Sequence, residues 1–560
     1  MKSNILTIED TSTNFSNEYD CDKLLYEKQS TDKEINSWLL ENIALFKNID
    51  KLVIPIKMGT IEDAENIGLM IGLHIRTTKE LNDKRLLPII FISKLSKEEI
   101  LQKQVDDGKS KSGLLLYTKS VTLVSSLELD KAILAEAFPI SEKELLHDVL
   151  PNITIENTTD TGHQLANEWG AFRLAKFAGY SLKLEKPSSL YFKYKDSFTN
   201  NELTPVTNTN IGVFNESCKA LLIDDNADSG WGEILSYILK SKIVMPGKPS
   251  SLDIIRTFED AMKHTDYGNY DVVFLDLRLL KEEDKVNQIS NISDFTGTKV
   301  LRKIKDINKG IQVIIFTASN KVWNIEKLLE IGANGYYIKE SPEYIHNEVF
   351  SKENYNELLV TVKKTLSHKY LRRVDSIHKK CLNYISIDRP GRSNSYQRFY
   401  DRTIASFEIA NQLLGKTNVD SKYFNFAFLT YFQIIEDYVS QRDNFDFISK
   451  RECYVGSART RIIDDSTGSL IWKLTYIQDR VNGDYFEIFD EVKPNEVSIQ
   501  TLAKVSFVLA FMFHKNNSFL KKWANLNNIR NTKAGHGGAN GYVTSANIEE
   551  LLEIIELILT

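Results

Sequence analysis

The sequence predicts a multidomain chain: one or more doubly wound parallel α/β domains followed by an all-α bundle. Three observations carry that prediction. Between Ala220 and Ile338, short apolar runs rich in β-branched residues alternate with segments of helical period, the pattern of strands buried on both faces. After the polar stretch DRPGRSNS (Asp388 to Ser395), apolar positions recur mostly at helical spacing towards the C-terminus. The length, 560 residues, exceeds what one core accommodates, since single cores stop growing near roughly 250 to 300 residues.

In residues 1–210, KLVIPIKMG (51–59) and LLPIIFIS (86–93) read as strands, with a helix over Asp63 to Ile75 between them, and a further run, GLLLYTKSV (113–121), follows. That order repeats, in weakened form, the order of the central region, which predicts an α/β domain that is a decayed internal copy. TGHQLANEWGAFRLAKFAG (Thr161 to Gly179) then forms an amphipathic helix with His163 at its start.

The central domain spans about 215–350. Its strands are ALLI (220–223), KIVM (242–245), VVFL (272–275), VIIF (313–316) and YYI (336–338); helical segments run Trp231 to Leu239, Leu252 to Lys263, Lys299 to Ile304 and Asn324 to Ile331. Polar residues stand at the carboxyl ends of four of these strands: Asp224 and Asp225, Asp276, Thr317, and Lys339. That edge is where parallel α/β sheets bind ligands. Three crowded carboxylates repel one another and become tolerable around a hard cation such as Mg2+. A carboxylate that also faces an ammonium and a hydroxyl is suited to accept a phosphoryl group, because the surrounding groups neutralise charge developing on the phosphoryl oxygens.

From Asn354 to Ile385 the apolar positions step by three and four with no Gly or Pro, which predicts one connecting helix over 354–386, roughly 30 residues long. Its basic residues, Lys363, Lys364, Lys369, Arg372, Arg373, Lys379 and Lys380, read as a solvated face before they read as an RNA contact. A helical domain follows over 396–560, with helices at Phe399 to Leu414, Tyr423 to Tyr438 and Thr501 to Phe513; Ser457 to Val492 fits neither period. Near the end stands RNTKAGHGG, Arg530 to Gly538. In one uninterrupted helix Arg530 and His536 would point about 120° apart. The glycines at 535, 537 and 538 end the helix and let His536 fold back beside its terminus.

Composition narrows the classes. A formal net charge of −6 announces no whole-chain nucleic-acid binding, so any RNA contact must be a local patch, and no DNA-binding motif stands out. Four widely separated cysteines lack zinc or disulfide spacing. The polar N-terminus and the absence of an apolar run near the roughly 20 residues that span a bilayer predict a cytoplasmic protein with no membrane helix.

IDD, FLDLRL, FTAS and YYIKES resemble the receiver domain of two-component response regulators over about 130 residues. The resemblance implies that Asp224 and Asp225 are the acidic metal-binding pair for Mg2+, completed by Asp276, that Asp276 is the phosphorylated aspartate, that Thr317 is the switch hydroxyl and that Lys339 is the active-site lysine. It assigns Tyr336 or Tyr337, with Tyr336 preferred, as the aromatic partner of the switch, and Gly297 as the glycine opening the third helix. Two departures are an insertion, Lys281 to Thr296, and displacement of the usual proline after the lysine to Pro342. The N-terminal copy has Pro55 or Ile56 where Asp276 would fall and Ile92 at the Thr317 position; only Lys119 echoes Lys339, so it resembles a pseudo-receiver that is not phosphorylated. The HxLxN stretch at His163 faintly resembles phosphorylated-histidine helices, although packing on Trp169 and Phe172 or capping its helix is the plainer reading.

Arg530, Asn531 and His536 resemble the signature of HEPN-family ribonucleases. That resemblance implies metal-independent RNA cleavage by 2′-hydroxyl attack: Arg530 holds the scissile phosphate, His536 moves protons and Asn531 orients one or the other. It also implies a homodimer or a partner chain. Three readings follow. The first is a ribonuclease controlled by phosphorylation from a sensor histidine kinase or other phosphodonor, in a bacterial stress or phage-defence role. The second is a non-enzymatic signalling adaptor whose receiver switches helical domains, and the third a phosphorelay intermediate using His163.

Overall fold

The computed structural model describes residues 4–10, 22–27, 31–58, 66–106, 112–153, 162–182, 189–198, 214–280, 283, 292–317, 322–342, 348–387, 394–417, 420–440, 501–535 and 541–560, together with short strands between 445 and 488. It divides into two compact units. The first comprises Met1–His264, Val273–Leu301 and Val313–Lys363, the second Thr265–Val272, Arg302–Gln312 and Lys364–Thr560.

The first unit opens with β1 (Ile5–Glu9), β2 (Asp22–Leu25), α1 (Asp32–Glu41), β3 (Lys51–Pro55), α2 (Ile67–Thr77), β4 (Ile89–Ile92), α3 (Lys97–Asp106) and β5 (Val121–Val124). The strands form a parallel sheet in the order β2-β1-β3-β4-β5. Strands β1, β3 and β4 are buried along their whole length, which explains their near-continuous apolar sequence. Two helices follow, α4 (Gly162–Ala178) and α5 (Leu190–Ser197).

A second five-stranded sheet comes next: β6 (Cys218–Ile223), α6 (Gly232–Ile238), β7 (Ser250–Ile255), α7 (Phe258–Lys263), β8 (Val272–Asp276), α8 (Thr296–Ile307), β9 (Val313–Thr317), α9 (Val322–Ile331) and β10 (Gly335–Ile338). Its order, β7-β6-β8-β9-β10, repeats that of the first sheet, and both are receiver-type α/β arrangements.

Two glycines make the repeat atomic. A Cβ on Gly68 would lie 1.9 Å from the Pro55 carbonyl oxygen, and one on Gly297 would lie 2.2 Å from that of Asp276. The Gly68 N–H donates to Ile56 O and the Gly297 N–H to Leu277 O, both at 3.0 Å. Each helix therefore starts flush against the end of the third strand, where only glycine fits. Pro55 thus stands where the second sheet has Asp276. Since Pro55 pairs with Ile92 as Asp276 pairs with Phe316, the position of Thr317 belongs to Ser93, not to Ile92.

Other expectations change too. KIVM is not a strand: Leu239–Ile243 is a wide helical turn ending α6, and the second strand is Ser250–Ile255, where a helix was expected from Leu252. Short apolar runs do not separate the two periods, and Gly247, at φ 87°, turns the chain between them. In the first sheet, Ser112–Tyr117 is a 3-10 turn with Leu115 and Leu116 buried, and the fifth strand begins only at Val121. Lys119 precedes that strand and pairs with Glu144 at 3.1 Å and Asp148 at 3.2 Å, so it does not stand where Lys339 does.

The expected connecting helix is two helices, α10 (Glu348–Ser367) and α11 (Leu371–Ser386). No Gly or Pro breaks them. Instead the Ser367 hydroxyl and the His368 ring both donate to the Lys364 carbonyl, at 2.7 and 2.6 Å, while His368 and Lys369 N–H groups bond three residues back. Side chains that compete for helix carbonyls end helices in this way.

In the second unit, α11 joins α12 (Asn394–Gly415), α13 (Lys422–Val439), α14 (Thr501–Phe507), α15 (Asn517–Ile529) and α16 (Ser545–Leu559). Val374, Ile377 and Cys381 of α11 share one core with Phe407, Tyr431, Trp523, Leu551 and Ile555, so α11 is a bundle helix, not a linker. Its basic residues are tied down within the unit: Arg373 to Glu553 at 2.7 Å, Lys380 to Glu556 at 2.8 Å, Arg372 to Asp271 at 2.9 Å. Between α13 and α14 lie antiparallel strands, β11 (Phe445–Ser449) with β12 (Glu452–Val455) and β13 (Thr460–Arg461), then β14 (Leu474–Ile477) with β15 (Tyr485–Ile488). The region is therefore mostly helical but not all-α. Among the described residues no helix is long and apolar enough to cross a membrane.

Candidate functional site

Parallel pairing brings the ends of β6, β8, β9 and β10 to one edge, and Asp224, Asp225, Asp276 and Lys339 meet there. The Lys339 ammonium lies 2.6 Å from Asp276 Oδ2 and 2.9 Å from Asp224 Oδ2. All three are buried, as is Thr317. The second oxygen of each carboxylate is held by backbone: Leu277 N–H donates to Asp276 Oδ1 at 2.7 Å, and Asn226 N–H to Asp224 Oδ1 at 2.8 Å. Half-buried Asp225 accepts from the Asn226 side-chain amide at 2.8 Å. The inserted segment contributes buried Glu283, which caps the start of α8 by accepting from the Thr296 N–H at 2.8 Å and hydroxyl at 2.6 Å.

The electrostatics follow from burial. Burial pushes the Asp224 carboxyl up to about 6, with Lys339 pulling the other way and Asp276 adding to the rise. Burial also acts to lower Lys339, but the facing Asp224 and Asp276 carboxylates outweigh it and hold the ammonium above its ordinary value. Ligand atoms of Asp224, Asp225 and Asp276 lie within 4.8 Å of one another. An all-oxygen set of this size, with one member kept from ionising freely by burial and like charge, fits a hard divalent cation.

Trp231 seals the inner side, 5.1 Å from the Lys339 ammonium and edge-on to Phe316 and Tyr337. Tyr337 is the core aromatic, 5.0 Å from Phe316, while Tyr336, on the opposite strand face, is half-buried.

The residue that sequence reasoning missed is Asn167, from α4. Its side-chain oxygen accepts from Lys339 Nζ at 3.1 Å and from Trp231 Nε1 at 3.2 Å. The only signal was the HxLxN stretch, weighed for His163; that residue lies in α4, and its side chain is outside the described residues. A second omission is in the first sheet, where an acidic pair again stands at the end of the first strand: Glu9 is the last residue of β1 and Asp10 follows it. Glu9 is fully buried and paired with Lys23 at 3.0 Å.

In the second unit Arg530 donates to Asn531 Oδ1 at 3.0 Å, approaches Glu436 at 3.6 Å and lies over the Phe432 ring. A wide turn, Arg530–Ala534, closes with Gly535 N–H on Arg530 O at 2.9 Å. Buried Asn425 ties Lys533 to Val543, donating to Lys533 O at 3.2 Å and accepting from Val543 N–H at 2.9 Å. His536 lies outside the described residues.

Comparison with known proteins agrees with the first sheet's lost acceptor: the family described as iREC, inactive receiver domain, matches residues 2–124. Among solved structures, a two-component response regulator from Clostridium difficile is 23% identical, covering 27% of this chain and 95% of its own, with a TM-score of 0.19. A CheY-like receiver domain protein from Methanospirillum hungatei JF-1 is 18% identical over 28% of this chain and 97% of its own, TM-score 0.18. The signal receiver domain of a LuxO repressor protein from Vibrio parahaemolyticus is 21% identical over 28% and 96%, TM-score 0.20. No curated protein matches the chain.

Proposed function

We propose that this chain is a phosphorylation-regulated protein of the response-regulator type, in which Asp276 accepts a phosphoryl group and the C-terminal region is the output. The observation that carries the reading is Lys339 held between Asp276 and Asp224 at the sheet edge. An Asp276 carboxylate oxygen attacks phosphorus, forming an acyl phosphate, and the donor's leaving group departs with the electron pair of the broken bond. Lys339 then stabilises the added negative charge, and the Thr317 hydroxyl offers a donor to a phosphoryl oxygen. Asp224, Asp225 and Asp276 would hold a divalent cation such as Mg2+, which would further neutralise the phosphoryl oxygens. The phosphodonor is a histidine kinase or a small acyl phosphate.

The output reading is RNA cleavage of the HEPN type, with Arg530 on the scissile phosphate, Asn531 beside it and His536 as proton carrier. The Arg530–Asn531 pair and the Asn425 bridge between Lys533 and Val543 support it. The nearby Glu436 carboxylate supports the second reading, an adaptor whose helical region binds a partner protein, because it already answers the Arg530 charge. The test is one experiment with purified protein, acetyl phosphate, Mg2+ and RNA. Cleavage that disappears in His536→Ala and changes its dependence on acetyl phosphate in Asp276→Asn supports the first reading. No cleavage together with a phosphate-dependent change of oligomeric state selects the adaptor.

A further inference from the structure

We propose that Asn167 is a working part of the phosphoacceptor site and that α4 is its gate: phosphorylation of Asp276 draws Lys339 off Asn167 and releases α4. The proposal rests on the reading of Asp276 as acceptor.

The Lys339 ammonium has three N–H donors, and three acceptors surround it: Asp276 at 2.6 Å, Asp224 at 2.9 Å and Asn167 at 3.1 Å. A phosphoryl oxygen entering the site needs one of those donors. The neutral amide of Asn167 makes the weakest of the three bonds, since the other two join the ammonium to carboxylates and are ion pairs as well, so it is the one displaced. Once Lys339 turns, Asn167 loses that bond and keeps its bond to Trp231, whose ring lies under the same ammonium. Access points the same way. Asp276 is 5% exposed and Thr317 3%, so a donor reaches the acceptor only when a neighbouring group moves, and α4 is held against Lys339, the residue bonded to Asp276.

The remainder of α4 is built to sense that movement. A Cβ on Gly170 would lie 2.9 Å from the Trp231 ring and 3.0 Å from the Glu340 carbonyl oxygen, so the helix rests flush on the segment that carries Lys339. Three residues on, buried Arg173 pairs with buried Glu340, the neighbour of Lys339, at 3.2 Å and donates to Ser351 Oγ at 3.2 Å. The opposite face belongs to the N-terminal region: Trp169 packs edge-on to Phe192 of α5, and Lys176 and Lys79 share Asp196. The inactive receiver region thus holds a helix over the active one.

The experiment uses the full chain with Mg2+ and acetyl phosphate and measures the initial rate of phosphate incorporation at Asp276. Asn167→Ala removes the amide, and Gly170→Leu wedges α4 off the Trp231 ring and the Glu340 carbonyl while leaving Asp224, Asp276 and Lys339 themselves unsubstituted. Both are expected to incorporate phosphate about tenfold faster than wild type, the scale of one charge-assisted hydrogen bond. In parallel, hydrogen exchange of wild type with and without beryllium trifluoride and Mg2+ is expected to lose protection over residues 166–178. This second readout decides the matter if Asn167→Ala does not fold. Wild-type rates in both variants, with α4 protection unchanged by beryllium trifluoride, overturn the gate and leave Asp276 as acceptor. Absence of phosphate incorporation in wild type and both variants overturns the acceptor reading and the gate with it.

Discussion

Lys339 is the residue on which the candidate site turns, because its ammonium lies between the buried Asp224 and Asp276 carboxylates. Removing one partner of a buried charge cluster costs about 3 to 5 kcal/mol, since the remaining charges stay desolvated. Lys339→Met is therefore expected to lower stability by that order in urea unfolding and to abolish phosphate incorporation from acetyl phosphate. A second residue-scale prediction concerns His378, whose ring stacks on Phe407 and bonds the Tyr431 hydroxyl at 2.9 Å. Burial pushes it down to about 4. Between that value and the ordinary 6.5 the unfolded chain binds the proton and the folded chain does not, so stability falls as pH drops through this window. Thermal unfolding of wild type and His378→Gln at pH 7 and pH 5 is expected to show a smaller loss for the variant.

At the scale of elements, the glycine contacts set how helices seat on backbone. Gly310, between α8 and β9, would bring a Cβ to 2.1 Å from the Leu371 carbonyl at the start of α11, in a turn that Asn308 also ties to Arg372 O at 2.9 Å. Gly310→Ala is expected to destabilise the second unit by about 1 to 3 kcal/mol, the usual cost of forcing atoms into a packed contact, read as a lower midpoint in urea. Asn425→Ala tests the other junction. With neither Lys533 O nor Val543 N–H held, the amides of residues 541–543 are expected to exchange at least about tenfold faster. Elements were legible where periodicity was long and unmixed: Asn394–Gly415 and Lys422–Val439 contain the helices expected from spacing. They were illegible where the deciding group was a side chain. The break between α10 and α11 follows from Ser367 and His368 bonding Lys364 O, which no apolar pattern encodes.

For the whole molecule, the prediction is a separation of functions. His536→Ala is expected to leave phosphate incorporation at Asp276 unchanged while removing any RNA cleavage, and Asp276→Asn to do the reverse to regulation, measured on the same RNA with and without acetyl phosphate. The sequence by itself determined that the central region is a doubly wound sheet with Asp224, Asp276, Thr317 and Lys339 at its edge, though not its second strand, Ser250–Ile255, which alternates in burial. The strands buried along their length announce themselves as unbroken apolar runs, and those four residues follow such runs directly, so local order alone aligns them. It also carried the loss of the acceptor in the first sheet, since Pro55 cannot take a phosphoryl group. Only the tertiary structure decided that Asn167 belongs to that edge. It meets Lys339 across 172 positions of chain, and α4 is placed by packing between Trp231 and Phe192, contacts that no spacing rule reaches because they depend on which surfaces remain to be covered once the sheets have formed.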